Sequence, residues 1–209
     1  RLRGGTVDEA VRAQGIALSM AGGSMAFLDT GTWTKRLHPG WAAQSALAAA
    51  KLALAGFEAP PEAYAGRYGF YALFTQNANN VNNVDWSSAY QEFAMESVAI
   101  KPYPICHFNH APVDAALHLR AKHGLRSEHI ESITIGLHER QFAVVVEPVA
   151  RKQRPESEYE AKFSVAYAVA TALVRGQLGL RELELESRTD EAILALTPRI
   201  HCVHDDRSN

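Results

Sequence analysis

The chain has 209 residues, 47% of them hydrophobic and 21% charged, with a formal net charge of −2. That is enough apolar content for a real core, and a charge balance that excludes a general attraction to nucleic acid. Its two cysteines, Cys106 and Cys202, stand far apart with no CxxC pair, which excludes a disulfide framework and points to a reducing compartment, the cytoplasm.

No uncharged apolar run reaches membrane-spanning length, since Lys51 interrupts the Ala-rich stretch. The chain opens Arg1-Leu2-Arg3 without Met and closes on Asp205-Asp206-Arg207-Ser208-Asn209. These ends read as those of a piece of a longer chain.

Thr6 and Glu9 form a capping-box pattern that starts a first helix, with Val7, Ala10, Val11, Ala17 and Leu18 at helical spacing and Gly22-Gly23 ending it. Gly22-Gly23-Ser24 lacks the spacing of a phosphate-cradling loop. Thr34 to Gly40 is expected to be a polar lead-in loop. A helix from Trp41 to Ala55 follows, apolar nearly all round and so expected to be buried on most faces, with Gly56 as its cap and Phe57 as the closing contact. Pro60 to Ala63 suggests a short helix. The Asn-rich stretch from Gln76 to Asn83 cannot build a core and is expected to be a surface loop. Residues 76–85 therefore mark a boundary between a first domain, 1–75, and a second, 76–209.

Phe93 to Ile100 alternates as a strand does. A helix is predicted from Ala111 to Lys122, capped by Gly124, and a strand from Ile130 to Leu137. Phe142 to Val146 reads as a short strand or extended turn, and Arg151-Lys152-Gln153-Arg154 as a solvated loop. One long helix is predicted from Glu158 to Arg175, ended by Gly176. A short helix over Thr189 to Leu196 and a final strand beginning at Ile200 complete the pattern.

Two polar knots carry the chemistry. The first holds Lys35 and His38, three residues apart ahead of the Ala-rich helix. A lysine there can neutralise a carboxylate and a histidine can move a proton near neutral pH. The ordinary alternatives are a surface lysine and a histidine that caps or packs against Trp41. The second knot, Lys101 to His110, holds Cys106, His107 and His110. Zinc on these three lacks a fourth ligand, and a nucleophilic Cys106 lacks a visible oxyanion device. Histidines acting on protons or carboxylates at a helix N-terminus are the better reading, because the helix end itself favours an anion. His118, His123, His129 and His138 read as surface or packing residues.

Thr34-Lys35-Arg36-Leu37-His38-Pro39-Gly40-Trp41-Ala42-Ala43-Gln44, Gly66-Arg67-Tyr68-Gly69, Lys101-Pro102-Tyr103-Pro104, His110-Ala111-Pro112-Val113-Asp114-Ala115-Ala116 and Ala161-Lys162-Phe163-Ser164-Val165-Ala166-Tyr167 together resemble the MmgE/PrpD family. The likeness runs in order along essentially the whole chain. That family includes 2-methylcitrate dehydratase, cis-aconitate decarboxylase and iminodisuccinate epimerase.

The resemblance implies a mixed fold: part of an all-helical domain plus a smaller, partial α+β domain, with the active site between them. It implies chains about twice this long, a homodimer, and no metal or organic cofactor. Lys35, His38, His107 and His110 are the expected catalytic residues. Lys35, Arg36, Lys101 and Cys106 are the expected substrate-binding residues. The expected reaction is cofactor-independent dehydration of a small polycarboxylate such as 2-methylcitrate. Decarboxylation, epimerisation or isomerisation of a related acid and a non-catalytic relative are the alternatives. Cys106 and Phe142 stand where decarboxylase-like members carry histidine and tyrosine, which argues against decarboxylation.

Overall fold

The structure, a computed structural model, describes residues 4–85, 87 and 93–208. Arg1, Leu2, Arg3 and Asn209, from the chain ends read above, lie outside them. The chain forms two units, residues 1–25 with 33–98 and residues 26–32 with 99–209. Among the described residues it is mostly helical, with one two-stranded parallel sheet.

In the first unit, α1 (Val7–Leu18) starts as its residues dictate. The Glu9 amide donates to Thr6 Oγ1 at 3.2 Å and the Thr6 amide donates to Glu9 Oε2 at 2.7 Å, so both free N–H groups are satisfied. α1 packs along α3 (Thr34–Leu54) through Ile16, Ala49 and Ala53. Gly15 allows a close approach: a Cβ there would overlap the Pro60 carbonyl oxygen.

α3 corrects two expectations. The lead-in loop from Thr34 to Gly40 is the start of the helix itself, with Pro39 inside it. Pro39 supplies no N–H to the helical ladder, yet its fixed φ is compatible with helix, and the turns continue into the Ala-rich stretch. Nor is the helix buried on most faces. Only the small-residue stripe Ser45, Ala49, Ala53 is buried, while Trp41 is 51% exposed and Leu47 54%.

Its C-terminus is the predicted glycine stop. Gly56 has φ +84, its N–H donates to Ala53 O at 3.1 Å, and the Phe57 N–H reaches back to Leu52 O at 3.0 Å.

The predicted helix at Pro60–Ala63 is a run of bends. α4 (Phe70–Thr75) stacks Phe70 on Phe74 at 4.9 Å. The Asn-rich stretch is not an open loop but a 3₁₀ helix, Ala78–Asn83, whose first turn is held by Asn77 accepting from the Asn79 amide. The predicted strand over 93–100 is also overturned. Ala94–Ser97 is a 3₁₀ turn, and Ile100 is 91% exposed. Alternation marks a strand only when a neighbour takes its hydrogen bonds, and here the backbone bonds locally, Glu96 N to Phe93 O at 2.9 Å.

The second unit is built round α9 (Val165–Arg175), in which every residue from Val165 to Leu173 is buried. α5 (His110–His123), stopped by Gly124 at φ +60, packs against it. β1 (Ile133–Leu137) pairs in parallel with β2 (Ile200–His204), Ile133 opposite Ile200 and Leu137 opposite His204.

The crossover between the strands carries α6 (Glu139–Val145), α7 (Val149–Gln153), α8 (Glu158–Lys162), α9, α10 (Leu185–Arg188) and α11 (Glu191–Leu196). Three expectations change there. Residues 142–145 are helical, because His138 caps α6 through its Nδ1 and the Arg140 amide. Residues 151–154 belong largely to α7, with Lys152 buried. The single helix from 158 to 175 is two, broken at Phe163-Ser164, where the Ser164 side chain caps α9 by accepting from the Tyr167 amide at 2.9 Å.

One segment leaves its sequence neighbours. α2 (Phe27–Thr30) groups with the second unit: Phe27 packs edge-on against Tyr159 at 6.0 Å, and the Arg151 guanidinium bonds both Asp29 O and Glu160.

Candidate active site

The Lys101–His110 segment is a compact corner within the second unit. Its backbone is pinned to the α8–α9 break: the Cys106 N–H donates to Lys162 O at 2.8 Å, and Asn109 Nδ2 reaches the same oxygen at 3.4 Å. Lys101 Nζ donates to Ile105 O at 3.0 Å, which folds the segment on itself and leaves the ammonium at the surface. His107–Asn109 is a 3₁₀ turn running directly into α5.

This turn sets the two histidine rings against each other, tilted by 59° with their centroids 5.2 Å apart. His107 is exposed and Cys106 half-buried. His110 lies behind them, 8% exposed, with Nε2 shut off from solvent and without a hydrogen-bond partner among the described residues.

Tyr103 closes the other side, T-shaped against His110 at 5.6 Å and donating to Asp114 Oδ1 at 2.5 Å. That bond to a carboxylate, with burial and the Asp114 charge, pushes the Tyr103 phenol up to about 12. Burial holds the His110 pKa below the usual histidine value. The His107 and Lys101 charges push the same way, while the Ile105 backbone and Asp114 oppose them. His110 is thus a neutral ring at neutral pH, and His107 is the member of the pair that a dissolved molecule can touch.

In the first unit, Lys35, Arg36 and His38 stand on the opening turns of α3. Lys35 and His38, three apart, share a face. His38 lies against the Gly23 backbone, where an added Cβ would sit 3.5 Å from His38 Nδ1. The Arg36 guanidinium lies over the Trp33 ring, 5.3 Å from its centroid.

Among the described residues, no group of three or more His, Cys, Asp or Glu side chains is placed to hold a metal, and no helix is long and apolar enough to cross a membrane. A cavity of about 1030 Å³ in the second unit opens between α5, β1 and α9. Phe108, Leu119, Ile135 and Leu173 line it, and it holds no lysine or arginine. A polyanion would find no lysine or arginine counter-charge there.

Sequence reasoning missed Tyr103, Asn109 and Asp114 as parts of the corner, and Lys152 behind it. Tyr103 and Asp114 lie eleven positions apart in the chain. Asn109 was legible only as a neighbour of His110, and Lys152 sat in what looked like a solvated cationic run.

Most of the chain matches domains of known proteins. The MmgE/PrpD N-terminal domain matches residues 1–82 and the MmgE/PrpD C-terminal domain residues 103–209. The chain belongs to the MmgE/PrpD family.

It is similar to the cis-aconitate decarboxylase-like protein oryM of Aspergillus oryzae (strain ATCC 42149 / RIB 40), 27% identical over 98% of this chain and 44% of that protein. It is also similar to the cis-aconitate decarboxylase of Mus musculus, 26% identical over 92% of this chain and 38% of the relative. The chain therefore spans less than half the length of these curated relatives.

Proposed function

We propose that this chain is part of a cofactor-independent MmgE/PrpD-type lyase that dehydrates a small polycarboxylate such as 2-methylcitrate, working as a cytoplasmic homodimer with a helical part over 1–75 and an α+β part over 76–209. The observation that carries the reading is the exposed His107, its ring tilted against that of the buried His110, in the same corner where Lys101 Nζ bonds Ile105 O.

Dehydration needs a base for the proton next to a carboxylate, cations for the charge that then spreads onto that carboxylate, and an acid to protonate the departing hydroxyl. His107 is the base or acid, and Lys101 holds a substrate carboxylate. His110 orients His107 from behind, and Cys106 lines the substrate. Lys35 and Arg36 bind further carboxylates and His38 is the second proton-transfer group. The proton from carbon and the hydroxyl from its neighbour leave together as water, so no oxidant or metal enters the balance.

Decarboxylation is the second reading, favoured by the names of both relatives. Cys106 and Phe142 weigh against it, standing where histidine and tyrosine occur in decarboxylase-like members.

The test is NMR product analysis in heavy water with the full-length protein and a panel of citrate-like acids. Net loss of water from one of them is expected. Carbon dioxide release would replace this reading with the decarboxylase. Solvent deuterium incorporation without net dehydration would favour an epimerase, and inertness towards the whole panel a non-catalytic relative.

A further inference from the structure

Lys152 is 7% exposed, yet it forms no ion pair among the described residues. Its ammonium instead donates to two backbone carbonyls, Val144 O and Phe163 O, each at 2.8 Å. Its own carbonyl accepts from Ser164 Oγ, the oxygen that caps α9.

Phe163 O is one residue beyond Lys162 O, the oxygen that holds the Cys106 amide and Asn109 Nδ2. Two successive carbonyls at the α8–α9 break are therefore held by different groups, one by the histidine corner and one by the lysine. The Val144 and Phe163 side chains also pack with Cys106 in one cluster. A buried ammonium is costly, and an apolar residue of similar length would fill the same space more cheaply. A cation that spends its donors on two carbonyls is a clamp on the backbone, and both clamped residues belong to the cluster against which Cys106 packs.

We infer that Lys152 is a positioning residue for the Cys106–His110 corner, fixing it through the Lys162-Phe163 backbone. Without the ammonium the Phe163 carbonyl is released, the adjoining peptide rotates, and Lys162 O no longer meets the Cys106 amide squarely. Glu160, Arg151 and Cys106 are the charged or titratable groups facing the ammonium. The functional meaning rests on the reading of the corner as part of a lyase site; the positional claim does not.

The test uses full-length protein with Lys152→Met and Lys152→Arg. Amide hydrogen exchange at Cys106 is expected to accelerate at least about tenfold in Lys152→Met. Exchange along the β1–β2 ladder should change less than about twofold. Lys152→Arg, which restores charged donors, should bring Cys106 back to within about threefold of the parent. If Lys152→Met does not fold, Lys152→Gln is measured against the same thresholds.

Unchanged exchange at Cys106, acceleration spread equally over the sheet, or an arginine variant as fast as the methionine one would each overturn the inference. In the kinetic arm, kcat for water loss should fall more than KM rises. Altered Cys106 exchange in Lys152→Met, together with a parent protein that dehydrates no polycarboxylate, would sink the lyase reading and leave the clamp standing.

Discussion

α3 and α9 are both Ala-rich, both long on apolar residues, and neither carries a strongly polar face in its central turns. Composition alone would bury both. α9 is buried from Val165 to Leu173, with α5, α7 and α11 packed round it. α3 buries one stripe of small residues against α1. The difference lies in what surrounds each helix within its unit, since an apolar surface is hidden only where another surface meets it. Alanine permits either outcome, costing little when exposed and fitting tightly when buried.

The sharpest way to break this contrast is to truncate one side chain on each helix. Tyr167 is fully buried and donates to Glu182 O at 2.6 Å. Tyr167→Ala should cost about 3–5 kcal/mol in chemical denaturation. Leu47→Ala on the outer face of α3 should stay within about 0.5 kcal/mol. Equal losses would mean that α3 is as deeply embedded as α9.

A smaller effect comes from a tightly packed place in the first unit. In an open helix Gly→Ala stabilises by about 1 kcal/mol. Gly15→Ala should instead destabilise by about 1–3 kcal/mol, because the new methyl overlaps the Pro60 carbonyl oxygen. A gain in melting temperature would show that the α1 contact yields. Below this comes Thr6→Ala, which removes the capping box of α1 and should cost about 1 kcal/mol. Circular dichroism melts would show it as a modest shift.

The smallest effect is in pH. The folded-state pKa of His110 is depressed, so its contribution to stability is complete above the unfolded value of 6.5 and is lost as pH falls through the folded value. Denaturant midpoints should decline on acidification across that window, and His110→Gln should flatten the slope. A midpoint that rises on acidification would place the imidazolium, not the imidazole, in the corner.

Helix ends were legible from a few neighbouring letters. The Thr6–Glu9 box, the Gly56 stop and the Gly124 and Gly176 caps all act over three or four residues and were met as read. β1 was legible because its alternation happens to find β2 as a partner. The stretch 93–100 alternates as clearly and finds none among the described residues, so it winds locally.

The break at Ser164 was hidden because the apolar stripe of α8 and α9 runs on across it. Lys152 was hidden because a lysine beside Arg151 and Arg154 reads as solvated; only the arrival of Val144 O and Phe163 O makes it an inner residue. In the histidine corner the sequence showed the two rings, and folding decided their ranks, one outward and one enclosed by Tyr103.

By itself, then, the order of residues determined the caps, the stops, the spacing of His107 and His110 and the family likeness, since each depends on groups that are close along the chain. Tertiary structure alone decided which Ala-rich helix became a core, which alternating stretch became a strand and which lysine went inside. Those outcomes depend on partners tens of residues away, and burial is a property of the pair of surfaces, not of either one.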